Sequence, residues 1–83
     1  MNISMYQITI ADKIKAYRSE NNLSLKDFGN LIGVSPQAVY KWEQNTCCPD
    51  IIFLPHLAQI LKCTIDDFFK KYDVEKEHLD VNL

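Results

Sequence analysis

Residues 25–44, LKDFGNLIGVSPQAVYKWEQ, contain two apolar patterns at helical spacing that flank a short break. The first pattern ends at Gly33, which can end a helix at little energetic cost because glycine tolerates positive φ. Ser35 and Pro36 then supply an N-cap and a proline at the first helical position. We therefore predict two helices, joined by a tight turn, that share one core. The residues assigned to that core are Phe28, Leu31, Ile32, Val34, Val39 and Trp42.

Gly29 lies inside the first of these two helices, where glycine costs about 1 kcal/mol relative to alanine. Its lack of a side chain is explained if a second helix crosses closely at this point at a steep angle. Gly29 thus favours a helix-turn-helix over two helices that merely follow one another.

The same stretch resembles the Cro/repressor-type helix-turn-helix proteins, also called the XRE family. The resemblance runs from about residue 10 to residue 69 and includes Ile14, Arg18, LSLKDFGNLIGVS and QAVYKWE, then Pro49, LAQIL and TIDDFF. Members of the family are small all-α DNA-binding domains of about five helices that usually bind operators as dimers. The resemblance implies an all-α, compact five-helix lambda-repressor-like domain in which helices 2 and 3 form the helix-turn-helix.

Caps and apolar spacing predict the limits of the helices. Helix 1 is expected over about residues 9–21 and helix 3 over about 36–44, while Ser24 caps helix 2 with Asp27 in capping-box position. Helix 4 is expected from about residue 53 to 62, with Pro55 in its first turn, and Thr64 caps a fifth helix that leads into Phe68 and Phe69. The predicted divisions of the chain are an N-terminal arm (1–8), the helix-turn-helix domain (9–72) and an acidic C-terminal tail (73–83).

The bulk properties of the chain indicate one small cytoplasmic domain. The 83 residues are 47% hydrophobic, enough for one core. The sequence has neither a signal-peptide pattern nor about 18 consecutive apolar residues, so no membrane association is expected. Its three cysteines do not have the spacing of a zinc site or a disulfide framework. We predict no metal, no cofactor and no small-molecule ligand.

The net charge of −2 is unusual for a DNA-binding domain, because phosphate contacts favour a basic surface. The acidic excess lies in residues 46–83, which hold four basic and seven acidic residues, whereas residues 1–45 hold five basic and four acidic residues. This distribution predicts modest affinity for DNA that requires two protomers.

Helix 3 is the predicted reading helix, because Val39 and Trp42 face the core and a polar face remains. The glutamine amide of Gln37 matches N6 and N7 of adenine, and Lys41 lies one helical turn later, where it can contact guanine or a phosphate. The candidates for reading bases are Gln37, Lys41, Tyr40 and Pro36, of which Pro36 is suited to a thymine methyl and Tyr40 also to a phosphate.

Phosphate contacts are expected at the N-terminus of helix 2 and after helix 3. The candidates for contacting the DNA backbone are Ser24, Lys26, Gln44, Asn45, Thr46 and Arg18. The chain departs from the family at two of these places. Leu25 follows the helix 2 cap where many members have glutamine, and the loop NTCCPD lacks basic residues, so both departures weaken the expected contacts. Asn45 replaces a frequent glycine, which is tolerable because asparagine enters the left-handed region readily.

The resemblance also implies an ion pair between Arg18 and Glu43 that ties helix 1 to the end of helix 3. This pair either orients the two helices or also holds the arginine toward the DNA backbone. In the loop, Cys47 and Cys48 are interpreted as reduced thiols, with a redox switch as the less favoured alternative, and Cys63 as a small core residue.

The sequence favours one of three classes of function. The favoured one is a dimeric repressor that binds double-stranded DNA at a palindrome, with a homodimer contact assigned to Phe69, Tyr72, Leu79, Val81 and Leu83. The alternative is a protein-interaction module, such as an antitoxin or partner subunit, with weak or no DNA binding. An enzyme is not predicted, because the sequence contains no catalytic constellation and no glycine-rich phosphate loop.

Overall fold

The computed structural model of the chain describes residues 6–71. Strand β1 (Tyr6–Ile8) precedes the helices α1 (Ile10–Asn21), α2 (Leu25–Ile32), α3 (Pro36–Glu43) and α4 (Leu54–Leu61). A 3-10 helix, Ile51–Phe53, leads into α4, and a second one, Ile65–Phe68, leads into strand β2 (Phe69–Lys71). None of the helices within residues 6–71 is long and apolar enough to cross a membrane.

One hydrophobic core connects all four α-helices. Its buried members are Ile10, Ile14, Phe28, Ile32, Val39, Trp42, Leu57, Ala58 and Phe68. Aromatic pairs extend it: the rings of Tyr17 and Phe28 meet edge to face with centroids 6.0 Å apart, a favourable arrangement. Leu31, predicted to lie in the core, is 44% exposed, so that prediction was wrong. The buried face of α2 is narrower than its apolar spacing indicates.

The predicted helix-turn-helix is confirmed as α2 and α3. Gly33 has φ 91°, in the region that suits glycine, and its N–H and that of Val34 both donate to the carbonyl of Gly29, at 2.7 and 2.9 Å. Ser35 then caps α3 by accepting from the N–H of Ala38.

The reason for glycine at position 29 differs in one respect from the prediction. A Cβ atom there would lie 2.5 Å from the carbonyl oxygen of Val34, far inside van der Waals contact. The backbone that approaches Gly29 is thus the turn itself rather than the crossing helix. Because a backbone carbonyl cannot rotate away as a side chain can, the contact fixes the turn against α2.

The predicted fifth α-helix is replaced by a short 3-10 helix and a strand, so the described residues contain four α-helices rather than five. The backbone is extended at Phe69, and β2 pairs antiparallel with β1 in the register Ile8 with Phe69. Thr9 reinforces this junction, because its N–H donates to the carbonyl of Phe68 at 2.7 Å and its hydroxyl to that of Asp67. Residues 6–8 of the predicted arm are therefore part of a two-stranded sheet that the all-α prediction did not include.

Replacing Gly29 by alanine tests the close turn. In an open helix the change would stabilise the protein by about 1 kcal/mol. Here the clash with the Val34 carbonyl makes the substitution destabilising instead. We expect Gly29→Ala to lower the free energy of unfolding, measured by urea unfolding, by about 1 to 3 kcal/mol. Asn30→Ala, at the exposed next position, serves as control and should stay within about 0.5 kcal/mol of wild type. A Gly29→Ala protein more stable than wild type would contradict the constraint.

Two capping boxes predict a dependence of stability on pH. The backbone N–H of Ser24 donates to Asp27, and that of Thr64 donates to Asp67, and these bonds lower the pKa of both carboxyls. A carboxyl with a lowered folded-state pKa stabilises above its unfolded pKa, near pH 4, and loses this contribution as the pH falls through the folded value. The stability difference between wild type and Asp27→Asn/Asp67→Asn should be largest above pH 4 and shrink below it.

Urea unfolding at a series of pH values measures this difference. Asp66→Asn, which removes an exposed neighbouring carboxylate, is the control. Its difference in stability from wild type should change less with pH. A difference between wild type and the double variant that stayed constant from pH 6 to pH 2 would contradict the role of the two carboxylates.

Candidate nucleic-acid interface

Helix α3 has a buried face and an exposed face that carries the predicted reading residues. Val39, Trp42 and Glu43 are buried, whereas Gln37, Tyr40 and Lys41 are exposed. Tyr40 is 53% exposed. The exposed face includes the first turn of α3, where a helix in the major groove would approach the base edges.

An open hollow of about 310 Å³ lies on this face, lined mainly by apolar surface from Leu25, Pro36, Gln37, Tyr40 and Lys41. The structure thus brings together all four candidates for reading bases. Leu25 is the residue that sequence analysis did not assign to the site, since it was noted only as a departure from the family pattern. An apolar residue at the first position of α2, opposite the start of α3, is the signal that could have identified it.

The ion pair between Arg18 and Glu43 is present and holds the end of α3. Nε of Arg18 donates to Oε2 of Glu43 at 2.6 Å and Nη2 donates to Oε1 at 2.9 Å, a bidentate arrangement. Nη1 of Arg18 also donates to the carbonyl of Leu23, just before α2. The side chain of Glu43 is only 4% exposed and that of Arg18 is 24% exposed.

The guanidinium of Arg18 therefore connects three elements, α1, the α1–α2 junction and α3. Its side-chain hydrogen bonds to Glu43 raise the pKa of Arg18 above its ordinary value. Three of its five N–H groups are engaged, which leaves two for any contact with a phosphate.

The N-terminus of α2 has a more limited capacity for phosphate than the sequence indicated. Ser24 accepts from the N–H of Asp27 through its hydroxyl, and its own N–H donates to the Asp27 carboxylate. The backbone donor of Ser24 is therefore occupied. The N–H groups of Leu25 and Lys26, which have no acceptor within the helix, are the ones available at this end. The exposed side chain of Lys26 adds a positive charge beside them.

The loop after α3 offers side chains rather than backbone donors. The N–H groups of Gln44, Asn45 and Thr46 donate to the carbonyls of Tyr40, Trp42 and Lys41 and so end the helix. The side chains of these three residues are exposed. Asn45 has φ 59°, which confirms that asparagine takes the left-handed position.

The cysteines differ in their surroundings. Cys47 and Cys48 are exposed in the loop, whereas Cys63 is partly buried against the core, and this burial raises the pKa of its thiol. No group of three or more potential metal ligands occurs within residues 6–71. A redox role for Cys47 and Cys48 stays an untested alternative.

Large apolar side chains are exposed at positions that the sequence did not single out. Ile51 and Ile52, in the 3-10 helix before α4, are 81% and 76% exposed. Phe69, assigned to the dimer contact, is also exposed at the start of β2. The other residues assigned to that contact, Tyr72, Leu79, Val81 and Leu83, lie outside the described residues.

A helix-turn-helix whose second helix exposes its first turn defines a class of DNA-binding regulators, and comparison with known families agrees. A family model described as helix-turn-helix matches residues 14–68, and the chain belongs to this XRE-type family. The matched segment contains α2, α3 and α4 but neither β1 nor β2. No curated protein sequence matches the chain significantly.

Solved structures of repressors have a similar fold. The P22 c2 repressor protein in complex with a synthetic operator is 27% identical, with a TM-score of 0.65 over 75% of this chain and 92% of that one. The N-terminal DNA-binding domain of SinR from Bacillus subtilis is 28% identical, with a TM-score of 0.60 over 72% and 88% of the two chains. A transcriptional regulator from Listeria innocua, 20% identical with a TM-score of 0.66 over 95% and 78%, shares the fold. The fold and the family are thus those of DNA-binding regulators.

Removing Arg18 tests the ion pair. Arg18→Met leaves the nearly buried carboxylate of Glu43 without its partner, and we expect a loss of about 3 to 5 kcal/mol in the free energy of unfolding. Lys15→Met removes an exposed charge from the same helix and should cost less than about 0.5 kcal/mol. The double variant Arg18→Met/Glu43→Met should recover part of the loss, because no charge is left buried. Equal effects of Arg18→Met and Lys15→Met in urea unfolding would show that the pair does not hold α3.

Proposed function

We propose that this chain is a sequence-specific transcriptional regulator that binds double-stranded DNA, acting as a dimeric repressor that reads a palindromic operator through α3. The observation that carries the proposal is the exposed face of α3, with Gln37, Tyr40 and Lys41 on a helix that the core and the ion pair of Arg18 with Glu43 hold in place. A rigid helix with exposed hydrogen-bonding groups near its start is suited to the major groove.

Each residue on the exposed face of α3 has a separate role in the proposal. Gln37 contacts adenine through its amide, and Lys41 contacts a guanine or a phosphate one turn later. Tyr40 donates its hydroxyl to a phosphate, and Pro36 touches a thymine methyl. One bidentate contact between a side chain and a base contributes about 1 to 3 kcal/mol of discrimination, so Gln37 and Lys41 carry most of the specificity.

The contacts to the DNA backbone come from three places around α3. The backbone N–H groups of Leu25 and Lys26 and the side chain of Lys26 bind phosphate at the start of α2, with the hydroxyl of Ser24 beside them. The exposed side chains of Gln44, Asn45 and Thr46 bind after α3. Arg18 contributes through the two N–H groups that its bonds to Glu43 and Leu23 leave.

The net negative charge of the chain favours binding to DNA as a dimer. With a net charge of −2, one protomer makes few phosphate contacts, and two protomers on half-sites roughly 34 Å apart multiply them. The structure of the P22 c2 repressor on its operator supports the assignment as a repressor.

A protein-interaction function has support from one observation, the exposed pair Ile51 and Ile52. Two adjacent isoleucines that are mostly exposed are suited to contact another protein. If the chain acts only through such contacts, it binds DNA weakly or not at all.

Selection from a pool of random duplexes at about 100 mM salt distinguishes these functions. Wild type should enrich a palindrome, and Gln37→Ala/Lys41→Ala should lose or relax the enriched sequence because its base contacts are gone. The matched control is Gln59→Ala/Lys70→Ala, which removes an exposed glutamine and lysine from other elements and should enrich the wild-type palindrome. No enrichment by folded wild-type protein would overturn the proposal in favour of the protein-interaction function.

A further inference from the structure

Two exposed thiols lie side by side in the loop after α3, and neither the core nor the proposed DNA contacts use them. Cys47 and Cys48 are free and exposed, whereas Cys63 is partly buried against the core. Cysteine is among the residue types most often buried, so packing does not explain two adjacent exposed cysteines. Burial raises the pKa of the Cys63 thiol, and metals bind the thiolate, so the exposed pair holds the accessible sulfur donors of the chain.

The spacing of adjacent residues limits how these two thiols can be used. The peptide bond between Cys47 and Cys48 is trans, and consecutive Cα atoms across a trans peptide are about 3.8 Å apart. Residues joined by a disulfide usually have Cα atoms about 4.4 to 6.8 Å apart. A disulfide within the pair is therefore unfavourable. The two sulfur atoms are better suited to bind one atom placed between them.

The number of donors indicates which atom fits. Thiolate sulfur is a soft donor and selects soft acceptors. Zinc requires four ligands, and no group of three or more His, Cys, Asp or Glu residues able to hold a metal occurs within residues 6–71. Copper(I) and mercury(II) with two thiolates favour a linear arrangement that spreads the sulfur atoms apart. Trivalent arsenic holds two thiolates near a right angle, so two adjacent cysteines satisfy it.

The loop that carries the pair is bonded to α3. The N–H groups of Thr46 and Cys47 both donate to the carbonyl of Lys41, at 2.9 and 3.5 Å. Gln44, Asn45 and Thr46, whose exposed side chains are the proposed phosphate contacts after α3, come immediately before the pair. A ring closed through both sulfur atoms restricts the backbone at Cys47, and the substituent on arsenic adds bulk beside these phosphate contacts.

We propose that Cys47 and Cys48 form a two-thiolate binding site for trivalent arsenic, and that occupation of this site lowers the affinity of the chain for DNA. The effect on DNA rests on the proposed function, because that function places residues 44–46 at the DNA backbone. The site differs from the prediction of no metal and no small-molecule ligand, which considered sites with more ligands.

The binding step is a condensation without oxidation or reduction. With an organic arsenic(III) oxide, R–As=O, both thiols lose their protons and two As–S bonds form. The oxygen on arsenic leaves as water with those two protons. Arsenic stays trivalent throughout, so the step needs no oxidant.

Phenylarsine oxide is the probe, because its phenyl group leaves arsenic two positions for thiolates. Added to the reduced full chain, it should give an adduct with one phenylarsenic group per chain, measured by intact-mass spectrometry. The adduct should survive excess glutathione, a monothiol, because two bonds to one chain must break together. Excess 2,3-dimercaptopropanol, a dithiol, should remove it.

Cysteine variants locate the adduct. Cys48→Ser keeps one thiol of the pair and should lose the adduct in excess glutathione. Cys63→Ala removes the partly buried thiol instead, serves as the matched control, and should retain the adduct. A wild-type chain without a glutathione-resistant adduct would overturn the site. An equally resistant adduct on folded Cys48→Ser would do the same.

Fluorescence anisotropy with the enriched duplex, in excess glutathione, measures the effect on DNA. The adduct should bind the duplex about tenfold more weakly than the unmodified chain, within the usual range for coupling between two ligands. Linkage is reciprocal, so a saturating concentration of duplex should weaken the binding of phenylarsine oxide by the same factor. Cys48→Ser should bind the duplex as wild type does, whether or not the probe is present.

The outcomes separate the inference from the proposed function. An adduct whose affinity for the duplex stays within about twofold of the unmodified chain overturns the effect on DNA and leaves the proposed function intact. If folded wild-type protein enriches no duplex, the proposed function and the effect on DNA both fail. The mass measurement needs no DNA, so it still decides whether the pair binds arsenic.

Discussion

The close contact between Gly29 and the carbonyl of Val34 sets the geometry of the turn between α2 and α3, and with it the position of α3. The turn after α2 passes so near to that helix that no side chain fits between them, and Gly33 reverses the chain there with positive φ. These two glycines determine where α3 begins and which of its faces meets the core. Because Val39 and Trp42 become buried, the opposite face with Gln37 and Lys41 is left for solvent or for a ligand.

The far end of α3 is held by charge rather than by close packing. Arg18 joins α1, the junction before α2 and the last residue of α3, with two bonds to the buried carboxylate of Glu43. A buried pair of this kind adds little net stability over an apolar pair, but it tolerates only a narrow geometry. The two ends of α3 are thus fixed by different interactions, and a helix fixed at both ends can present side chains to a ligand with little loss of entropy.

The parts of the fold that depend on local rules were predictable, and those that depend on distant contacts were not. The turn at Gly33, the cap at Ser35 and the left-handed Asn45 follow from the conformational preferences of single residues. The pairing of Ile8 with Phe69 joins segments about sixty residues apart, so nothing near Phe69 signals a strand in place of a fifth helix. The exposure of Leu31 has the same origin, because only the packed helices determine how wide the buried face of α2 is.

The candidate site was likewise predictable only in part. The polar face of α3 could be read from helical spacing once Val39 and Trp42 were assigned to the core, whereas the ion pair of Arg18 with Glu43 came from the resemblance to a family. The hollow required the structure, because Leu25 and Tyr40 lie in different helices and meet only through the tertiary arrangement. Backbone amide chemical shifts, followed while the full chain is titrated with its enriched duplex, test directly whether α3 contacts DNA. If α3 lies in the major groove, the largest changes occur at residues 25–26 and 36–41. Changes concentrated at residues 51–53 with α3 unaffected would contradict this placement.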